Sequence, residues 1–492
     1  MKDTRIKLNK DEFKDKVYAC WLGKNIGGTM GGPYEGTKSM LDIDGFCTEA
    51  GAPLPNDDLD LQLVWLHAVE KMGIEAIKAP VLGEFWLSFI PPHWNEYGIG
   101  KANMRRGLIP PLSGDYNNDW QHSNGAWIRT EIWASLAPAC PELAAKFSVE
   151  DAKVDHGSGE GSYAAAFVAA MQSAAFVISD LRKCIDIGLS VVPADCRLAE
   201  SVRFTIACYD KGVDYRETRN LIQQKNADIG NGWFEAPSNV SYAILGLLYG
   251  EGDFKRSMIY AINCGDDTDC TAATVGATLG IFGGMKAIPE DWRAHIGDDI
   301  VTISINRGDA CRHVPYTCTE LTERVVAQTP HILFRADADA ELVDGDTCLP
   351  SDESEKMLDA CRSSDIAEGI KSNSMTFEYP FLRAEVVLDR CPDIEPQGEI
   401  RVDLTCFNKC DVLDKAQYGL TMRWWLPEGF TVSGKQTVTM PRKSLKRDPK
   451  ARCYSSFVIK AGDTVAPTNK CVLEIVGEGR IAPMYIPIVL LG

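Results

Sequence analysis

The spacing of apolar residues changes from a helical to a strand period near residue 374 of this 492-residue chain. Beyond that point apolar and polar residues alternate, which is the pattern of strands with one buried face. Turn signals such as Pro427-Glu428-Gly429 separate the alternating runs. The clearest runs are Ile400, Val402, Leu404 and Cys406; Leu420, Met422 and Trp424; and Cys471, Leu473 and Ile475. Residues 374–492 are therefore predicted to form an antiparallel, immunoglobulin-like β-sandwich.

The first two thirds of the chain have helical periodicity instead. Residues 57–72 are apolar on nearly every face and stop at a glycine, which is typical of a buried helix. Segments 163–178 and 271–282 consist largely of small residues, so they predict helices that approach their neighbours closely. We expect residues 1–335 to form an all-α domain of many packed helices. The acidic, polar residues 336–373 are interpreted as a linker.

Composition excludes some classes of partner. The formal net charge of −18 argues against nucleic-acid binding, which requires Lys and Arg to neutralise phosphates. No apolar run reaches the roughly 20 residues that a membrane-spanning helix needs. The 17 cysteines form no paired CxxC framework, and the polar start MKDTRIKLNKDEFKDK has no apolar signal-peptide core. We expect reduced thiols and a cytoplasmic protein without membrane or nucleic-acid partners.

Two clusters of carboxylates precede buried helices. Asn56-Asp57-Asp58 stands at the start of the helix of residues 57–72, and Cys264 to Thr271 places Asp266, Asp267 and Asp269 at the start of the small-residue helix. Asn and Asp are good helix caps, so capping is the simplest explanation. One cap needs only one side chain, however, and crowded, partly buried carboxylates repel each other unless a cation lies among them. Donors that are all oxygen favour Mg²⁺, Mn²⁺ or Ca²⁺.

Four motifs together resemble the ADP-ribosylglycohydrolase family, which includes the dinitrogenase-reductase-activating glycohydrolase and the ADP-ribosyl-acceptor hydrolases. They occur in the family's order between residues 14 and 292. Gly27 to Glu35 (GGTMGGPYE) resembles GDALGxPxE, Asn56 to Asp58 (NDD) resembles TDD, Ser123 to Arg129 (SNGAWIR) resembles SNGAAMR, and Asn263 to Thr271 (NCGDDTDCT) resembles NxGGDTDT. The resemblance implies an all-α orthogonal helix bundle that binds two Mg²⁺ ions, with Mn²⁺ or Ca²⁺ as alternatives.

The resemblance also implies roles for individual residues. The metal ligands by motif position are Asn56, Asp57, Asp58, Asp267, Asp269 and Cys270. Glu35 corresponds to the glutamate beside the metals and is our candidate general base, with Asp58 and Asp267 also in the catalytic group. Candidate substrate contacts are Gly31, Ser123, Asn124, Gly125 and His156. Trp120, His122 and Trp127 are candidates for stacking on adenine, and a core role is the alternative for each.

The chain departs from the family pattern at four positions. Gly28 replaces an Asp, and Asn56 replaces a Thr but keeps an oxygen donor. Cys270 replaces another Thr, and a thiol is a poor ligand for Mg²⁺. Asp266 stands where Gly is common and offers a replacement oxygen. The number of metal ions therefore stays open between one and two.

The expected function is metal-dependent hydrolysis of a ribosyl glycosidic bond. The leading substrate is an ADP-ribosylated protein or a small molecule containing ADP-ribose. One alternative is a hydrolase of a smaller N-riboside, such as a nucleoside, on the same fold. A further alternative is a non-catalytic relative that binds a ligand.

Overall fold

We describe a computed structural model of the chain. The structure describes residues 5–305, 313–409, 418–441, 443–444, 448 and 450–492. Among these residues, no helix combines the length and the apolar character that crossing a membrane requires.

The chain divides into two compact units. The first comprises Met1–Lys101 and Asn117–Ile370, and the second comprises Ala102–Tyr116 and Lys371–Gly492. These boundaries differ from the expected domains of residues 1–335 and 374–492. The short segment before residue 117 joins the second unit because its apolar side chains are part of that unit's core.

The first unit is helical, as expected. Residues 57–72 form one helix, segment 271–282 lies within a second, and segment 163–178 begins within a third that ends at Ala175. The helices of the chain are α1 (Lys10–Gly31), α2 (Asp57–Met72), α3 (Ala79–Phe89), α4 (Asn95–Arg105), α5 (Leu112–Asp115), α6 (Glu131–Leu136), α7 (Pro141–Ala152), α8 (Glu160–Ala175), α9 (Leu181–Ser190), α10 (Arg197–Asp210), α11 (Tyr215–Lys225), α12 (Ala236–Gly250), α13 (Phe254–Asn263), α14 (Thr268–Gly283), α15 (Glu290–Ile296), α16 (Cys318–Arg335), α17 (Glu353–Arg362) and α18 (Ile366–Gly369).

Helices α1 and α14 pack with their backbones in direct contact and run antiparallel. A Cβ atom on Gly23 would lie 2.2 Å from the carbonyl oxygen of Gly276, and one on Gly31 would lie 2.3 Å from that of Thr268. At the other end of the contact, a Cβ on Gly280 would lie 2.3 Å from the carbonyl oxygen of Ala19. Only residues without a side chain fit such a close approach. The seam between the two helices places the end of α1 beside the start of α14.

The segment interpreted as a linker, residues 336–373, contains regular structure. Strand β2 (Ala340–Val343) pairs in parallel with β1 (Ile6–Asn9), and helices α17 and α18 follow it. Met357 and Cys361 of α17 are buried. The acidic, polar composition of this segment favoured a linker, but one face of α17 carries apolar residues, which is enough to dock a short helix.

The second unit contains two antiparallel sheets, which confirms the expected C-terminal β-structure. Their strand orders are β3-β4-β5-β9-β7 and β11-β10-β6-β8. Each alternating run identified in the sequence lies on one of these strands, with its apolar residues facing inward. The strands are β3 (Ser374–Glu378), β4 (Leu382–Leu388), β5 (Glu399–Asn408), β6 (Tyr418–Trp425), β7 (Thr431–Gly434), β8 (Thr437–Met440), β9 (Arg452–Lys460), β10 (Thr468–Gly477) and β11 (Met484–Leu491).

The two sheets share one hydrophobic core. Leu404 of one sheet and Leu473 of the other belong to the same buried cluster, and Leu108, Leu112 and Tyr116 complete it. The Tyr116 hydroxyl donates a hydrogen bond to the Asp393 carboxylate at 2.5 Å. The second unit therefore includes a short helical segment from an early part of the sequence.

Candidate metal centre

The start of α2 presents three adjacent polar side chains. Asn56 caps the helix, because its Oδ1 accepts a hydrogen bond from the Asp58 backbone N–H at 2.8 Å. Asp57 and Asp58 are thus free of the capping role. The Asp57 carboxylate accepts a hydrogen bond from the Tyr97 hydroxyl at 2.9 Å. Asp58 is fully buried, and the Cys270 thiol donates to its Oδ1 at 3.1 Å.

The start of α14 presents the second cluster. Asp267 precedes the helix but makes no side-chain cap hydrogen bond, so capping does not explain it. Asp267, Asp269 and Cys270 are buried, at 4%, 7% and 6% exposure. The Thr268 hydroxyl donates to the Gly31 carbonyl at 2.8 Å. This bond connects the first turn of α14 to the last turn of α1.

Glu35 lies in the loop that leaves α1 and approaches the same carboxylates. One oxygen each of Glu35, Asp267 and Asp269 lie within 4.8 Å of one another. Glu35 is the exposed member of this group, and the two aspartates are buried. The group therefore faces solvent at Glu35 and is enclosed by protein at Asp267 and Asp269.

Asp266 holds the Glu35 loop in place. Its carboxylate accepts a hydrogen bond from the Lys38 ammonium at 2.6 Å and from the Asn239 amide at 3.2 Å. Its backbone pairs with Thr37, and its φ of +65° is rare for a residue other than glycine. The Asp266 carboxylate thus binds the loop instead of joining the metal-ligand group.

Crowding and burial raise the pKa of every carboxylate in the cluster. The pKa of Glu35 rises to about 8, chiefly because of the negative charge of Asp269. The pKa of Asp57 rises to about 6, chiefly through burial. Burial also raises the pKa values of Asp58 and Asp267 far above the usual range. A cation among these side chains would relieve this repulsion.

A buried lysine side chain contributes a positive charge next to the cluster. Lys24 of α1 is fully buried, and its Nζ lies 3.6 Å from Asp58 Oδ2 and 3.2 Å from Glu131 Oε2. The Glu131 carboxylate in turn accepts hydrogen bonds from Gln62 and Gln172. A single ammonium group thus pairs with two carboxylates, whereas Asp57, Asp267 and Asp269 form no ion pair with another described residue.

The side chains fit a divalent cation. Asp58 Oδ2, Asp267 Oδ1 and Asp269 Oδ1 are buried and have no hydrogen-bond partner within the described part of the chain. Such oxygens are costly unless something binds them. Within this cluster, two groups have ligand atoms within 4.8 Å of one another: Glu35, Asp267 and Asp269; and Asp58, Asp269 and Cys270.

A family model described as ADP-ribosylglycohydrolase matches residues 9–327. The chain belongs to this family. A relative from Archaeoglobus fulgidus, an uncharacterized protein, is 26% identical over 308 residues, which are 58% of this chain and 93% of the relative.

Solved structures also overlap with parts of this ADP-ribosylglycohydrolase family member. One, an "ADP-ribosylglycohydrolase-related protein complex", is 18% identical with a TM-score of 0.45 and covers 65% of this chain and 99% of its own. Another, a FixG-related protein from Vibrio parahaemolyticus, is 11% identical with a TM-score of 0.18, covering 23% of this chain and 97% of its own.

The segment Ser123-Asn124-Gly125 joins the carboxylate cluster to a second buried group. The Asn124 amide donates to Asp267 Oδ2 at 2.6 Å. The Ser123 hydroxyl contacts His156 Nε2 at 3.2 Å, and His156 Nδ1 lies 3.0 Å from Asp155 Oδ1. His156 is fully buried with protein atoms at both ring nitrogens. Its polar contacts are with Ser123 and Asp155, and a role for His156 in substrate binding stays a prediction.

Two residues that were predicted to contact the substrate take part in packing within the protein. Gly31 belongs to the seam between α1 and α14, where its missing side chain admits the backbone of Thr268. Trp127 is fully buried, and its indole N–H donates to Asn124 Oδ1 at 2.8 Å. Trp127 therefore packs in the core, which was the alternative to stacking on adenine. Trp120 and His122 are half-buried.

The start of α4 is a part of the site that the motifs did not indicate. Tyr97 contacts Asp57, and the neighbouring Glu96 is buried against Gly125, whose Cβ would lie 2.2 Å from Glu96 Oε1. Both residues stand in an unremarkable stretch, HWNEYGIG, without a cluster of like residues. Lys24 was missed in the same way, although a lysine within an otherwise apolar and small-residue helix is a usable signal.

Proposed function

We propose that this chain is a divalent-metal-dependent hydrolase that releases ADP-ribose from an ADP-ribosylated protein or a small ADP-ribose conjugate. One observation carries the proposal. An exposed glutamate, Glu35, stands beside the buried and partly unpartnered carboxylates of Asp267 and Asp269. A metal-dependent hydrolase needs this combination of a cation-binding group and a base open to solvent.

The protein's own residues supply the remaining parts of the reaction. Asp57, Asp58, Asp267 and Asp269 would hold the cation, with Asn56 and Cys270 beside them. A bound divalent ion orients ribose hydroxyls and acidifies water. Glu35, the exposed member of the carboxylate group, would accept the proton of the attacking water as a general base.

The substrate side of the site is assigned to Ser123, Asn124 and Gly125. Asn124 contacts Asp267 directly, so a ligand bound at the metal would meet this segment next. Gly125 has no side chain, and the carboxylate of Glu96 packs against it in the space that a Cβ would fill. We propose that the ribose and the adjoining phosphates lie along this segment.

The test is a panel of substrates supplied with a divalent ion. ADP-ribosyl-arginine, ADP-ribosyl-serine and plain nucleosides are incubated with the full chain, and released ADP-ribose and free base are measured. Glu35→Gln is expected to lower turnover by about 100-fold or more while metal binding is retained. Glu49→Gln, an exposed glutamate on the same loop, is the matched control and should leave turnover unchanged.

The other outcomes point to the alternatives. Release of base from nucleosides, with no ADP-ribose from either conjugate, would indicate a hydrolase of smaller N-ribosides. Tight metal and ADP-ribose binding without any product would indicate a ligand-binding relative. Equal turnover in Glu35→Gln and the unaltered protein would refute the role of Glu35.

A further inference from the structure

The thiol of Cys270 lies inside the carboxylate cluster. Its sulfur is 3.1 Å from Asp58 Oδ1, and it forms a group with Asp58 and Asp269 in which the ligand atoms lie within 4.8 Å of one another. All three side chains are buried. The first turn of α14 directs Asp269 and Cys270 toward the same space.

Three other oxygen-bearing side chains at the start of α14 are engaged elsewhere. The Asp266 carboxylate binds Lys38 and Asn239. The Thr268 hydroxyl donates to the Gly31 carbonyl, and the Thr271 hydroxyl donates to the Thr268 carbonyl at 3.2 Å. The protein therefore offers two carboxylates and one thiol at the inner end of the cluster.

One feature suits this inner end to a metal–sulfur bond. Asp58 Oδ2 and Asp269 Oδ1 are buried oxygens without a hydrogen-bond partner in the described ranges, so ligand positions remain open beside the sulfur. The neighbouring side chains are acidic, so the bound cation itself would supply the positive charge that a buried thiolate needs.

We propose that Cys270 binds the catalytic divalent ion through sulfur, and that this ligand makes the site prefer thiophilic ions such as Zn²⁺ or Co²⁺ to Mg²⁺. The inference rests on the proposed metal-dependent function and deepens it. As the metal–sulfur bond forms, the S–H bond breaks and its proton passes to solvent, with no change of oxidation state. Soft sulfur ligands favour Zn²⁺ and related ions, whereas Mg²⁺ requires oxygen.

Cobalt reports this bond directly, without any enzymatic assay. The full-length, metal-free protein is titrated with Co²⁺, and the near-ultraviolet absorbance is recorded. A sulfur-to-cobalt charge-transfer band is expected in the unaltered protein and should be lost in Cys270→Ser, which keeps a small polar side chain. Cys264→Ser is the matched control, because the Cys264 thiol donates to the Tyr260 carbonyl and stands outside the cluster.

Affinity provides the second measurement. In calorimetric titrations, Cys270→Ser is expected to weaken Co²⁺ and Zn²⁺ binding by about tenfold or more and to leave Mg²⁺ binding equal or tighter. If Cys270→Ser does not fold, the cadmium-113 resonance of the unaltered protein distinguishes sulfur from oxygen ligation by its chemical shift.

Each outcome decides between the two proposals. Stoichiometric Co²⁺ binding without a charge-transfer band, or a band that persists in Cys270→Ser, overturns sulfur ligation and leaves the hydrolase proposal intact. Failure of the unaltered protein to bind any divalent ion overturns both proposals. A band that depends on Cys270, in a protein that hydrolyses no conjugate, supports sulfur ligation and contradicts only the proposed reaction.

Discussion

The carboxamide of Asn56 occupies the space that a side chain on Gly28 would fill. A Cβ atom on Gly28 would lie 1.6 Å from Asn56 Nδ2 and 2.7 Å from its Cγ. The family pattern has Asp and Thr at these two positions, so the two departures are in direct contact. A longer side chain at 56 requires the absence of one at 28.

This contact predicts that the two positions are energetically coupled. Gly28→Ala should lower the free energy of unfolding by about 1–3 kcal/mol, because its methyl group collides with the Asn56 amide. In the Asn56→Ser background, which keeps a capping oxygen but lacks the amide nitrogen, the same change should cost less, with a coupling of at least about 0.5 kcal/mol.

Urea denaturation of the two single variants and the double variant measures the coupling. Gly32→Ala is the control, because the nearest atom to its new Cβ would be Leu54 Cδ1 at 3.6 Å, an ordinary contact. Additive effects of Gly28→Ala and Asn56→Ser would contradict the prediction.

Tyr97 should support metal binding through Asp57. Its hydroxyl orients the Asp57 carboxylate, while its ring packs edge-on against Trp86 with centroids 4.9 Å apart. Tyr97→Phe keeps the ring contact and removes the hydrogen bond. Affinity for a divalent ion, measured by calorimetry, should fall by about tenfold to 100-fold.

The control for this prediction is Tyr18→Phe, which removes a hydroxyl that donates to Asp298. Circular dichroism should show both variants folded. If Tyr97→Phe bound the ion as tightly as Tyr18→Phe does, the orienting role of the hydroxyl would be wrong.

Asp266 should control turnover and leave metal affinity unchanged. Asp266→Asn tolerates the left-handed backbone but cannot pair with the Lys38 ammonium, so the loop that carries Glu35 loses an anchor. We expect turnover to fall on the order of tenfold, as it does when a reacting group is slightly misplaced. Divalent-ion affinity should stay near that of the unaltered protein.

Lys38→Met tests the same ion pair from its other side. Turnover of the double variant Asp266→Asn with Lys38→Met should resemble that of either single variant, because both remove one interaction. A large loss of metal affinity in Asp266→Asn would instead place this carboxylate among the ligands.

Glu235 should make stability depend on pH. Burial raises its pKa in the folded protein to about 7, although the backbone N–H groups of Asn231 and Gly232 donate to its carboxylate. The unfolded chain has the ordinary pKa of about 4.3, so the folded state binds more protons between these values. The stabilisation that the protonated Glu235 provides is complete below the pKa of this residue in the unfolded chain. It is lost as pH rises through about 7.

Urea midpoints of the metal-free protein at pH 5 and pH 7.5 measure this loss. Glu235→Gln cannot titrate, so the difference between its two midpoints should be smaller than in the unaltered protein. Glu49→Gln, an exposed position, should keep the full difference. Equal differences in all three proteins would show that Glu235 does not contribute.

The acidic half of the site was predictable because its residues exceed what helix caps require. The structure brings Asp57, Asp58, Asp267 and Asp269 together, and only Asn56 acts as a cap. Local signals also fixed the helix ends, since a glycine follows both α2 and α14. The excess of acidic residues and the glycines at the helix ends could be predicted because each involves residues that are close together in the sequence.

The other half of the site depends on distant contacts. Tyr97 reaches Asp57 across 40 positions, and nothing around it indicates a ligand. Leu108 and Leu112 are spaced as in any amphipathic turn, and their packing among β-strands cannot be read from that spacing. Asp266 was an open candidate for a metal ligand, and only its contact with Lys38 shows another role.

The seam between α1 and α14 limits how this site can adapt to a ligand. Backbone faces backbone at successive turns, from Ala19 against Gly280 to Gly31 against Thr268. At the glycine contacts no side chain separates the two backbones, so small sliding displacements of one helix along the other are disfavoured. The end of α1, which leads to Glu35, is therefore held beside Asp267 and Asp269 at the start of α14.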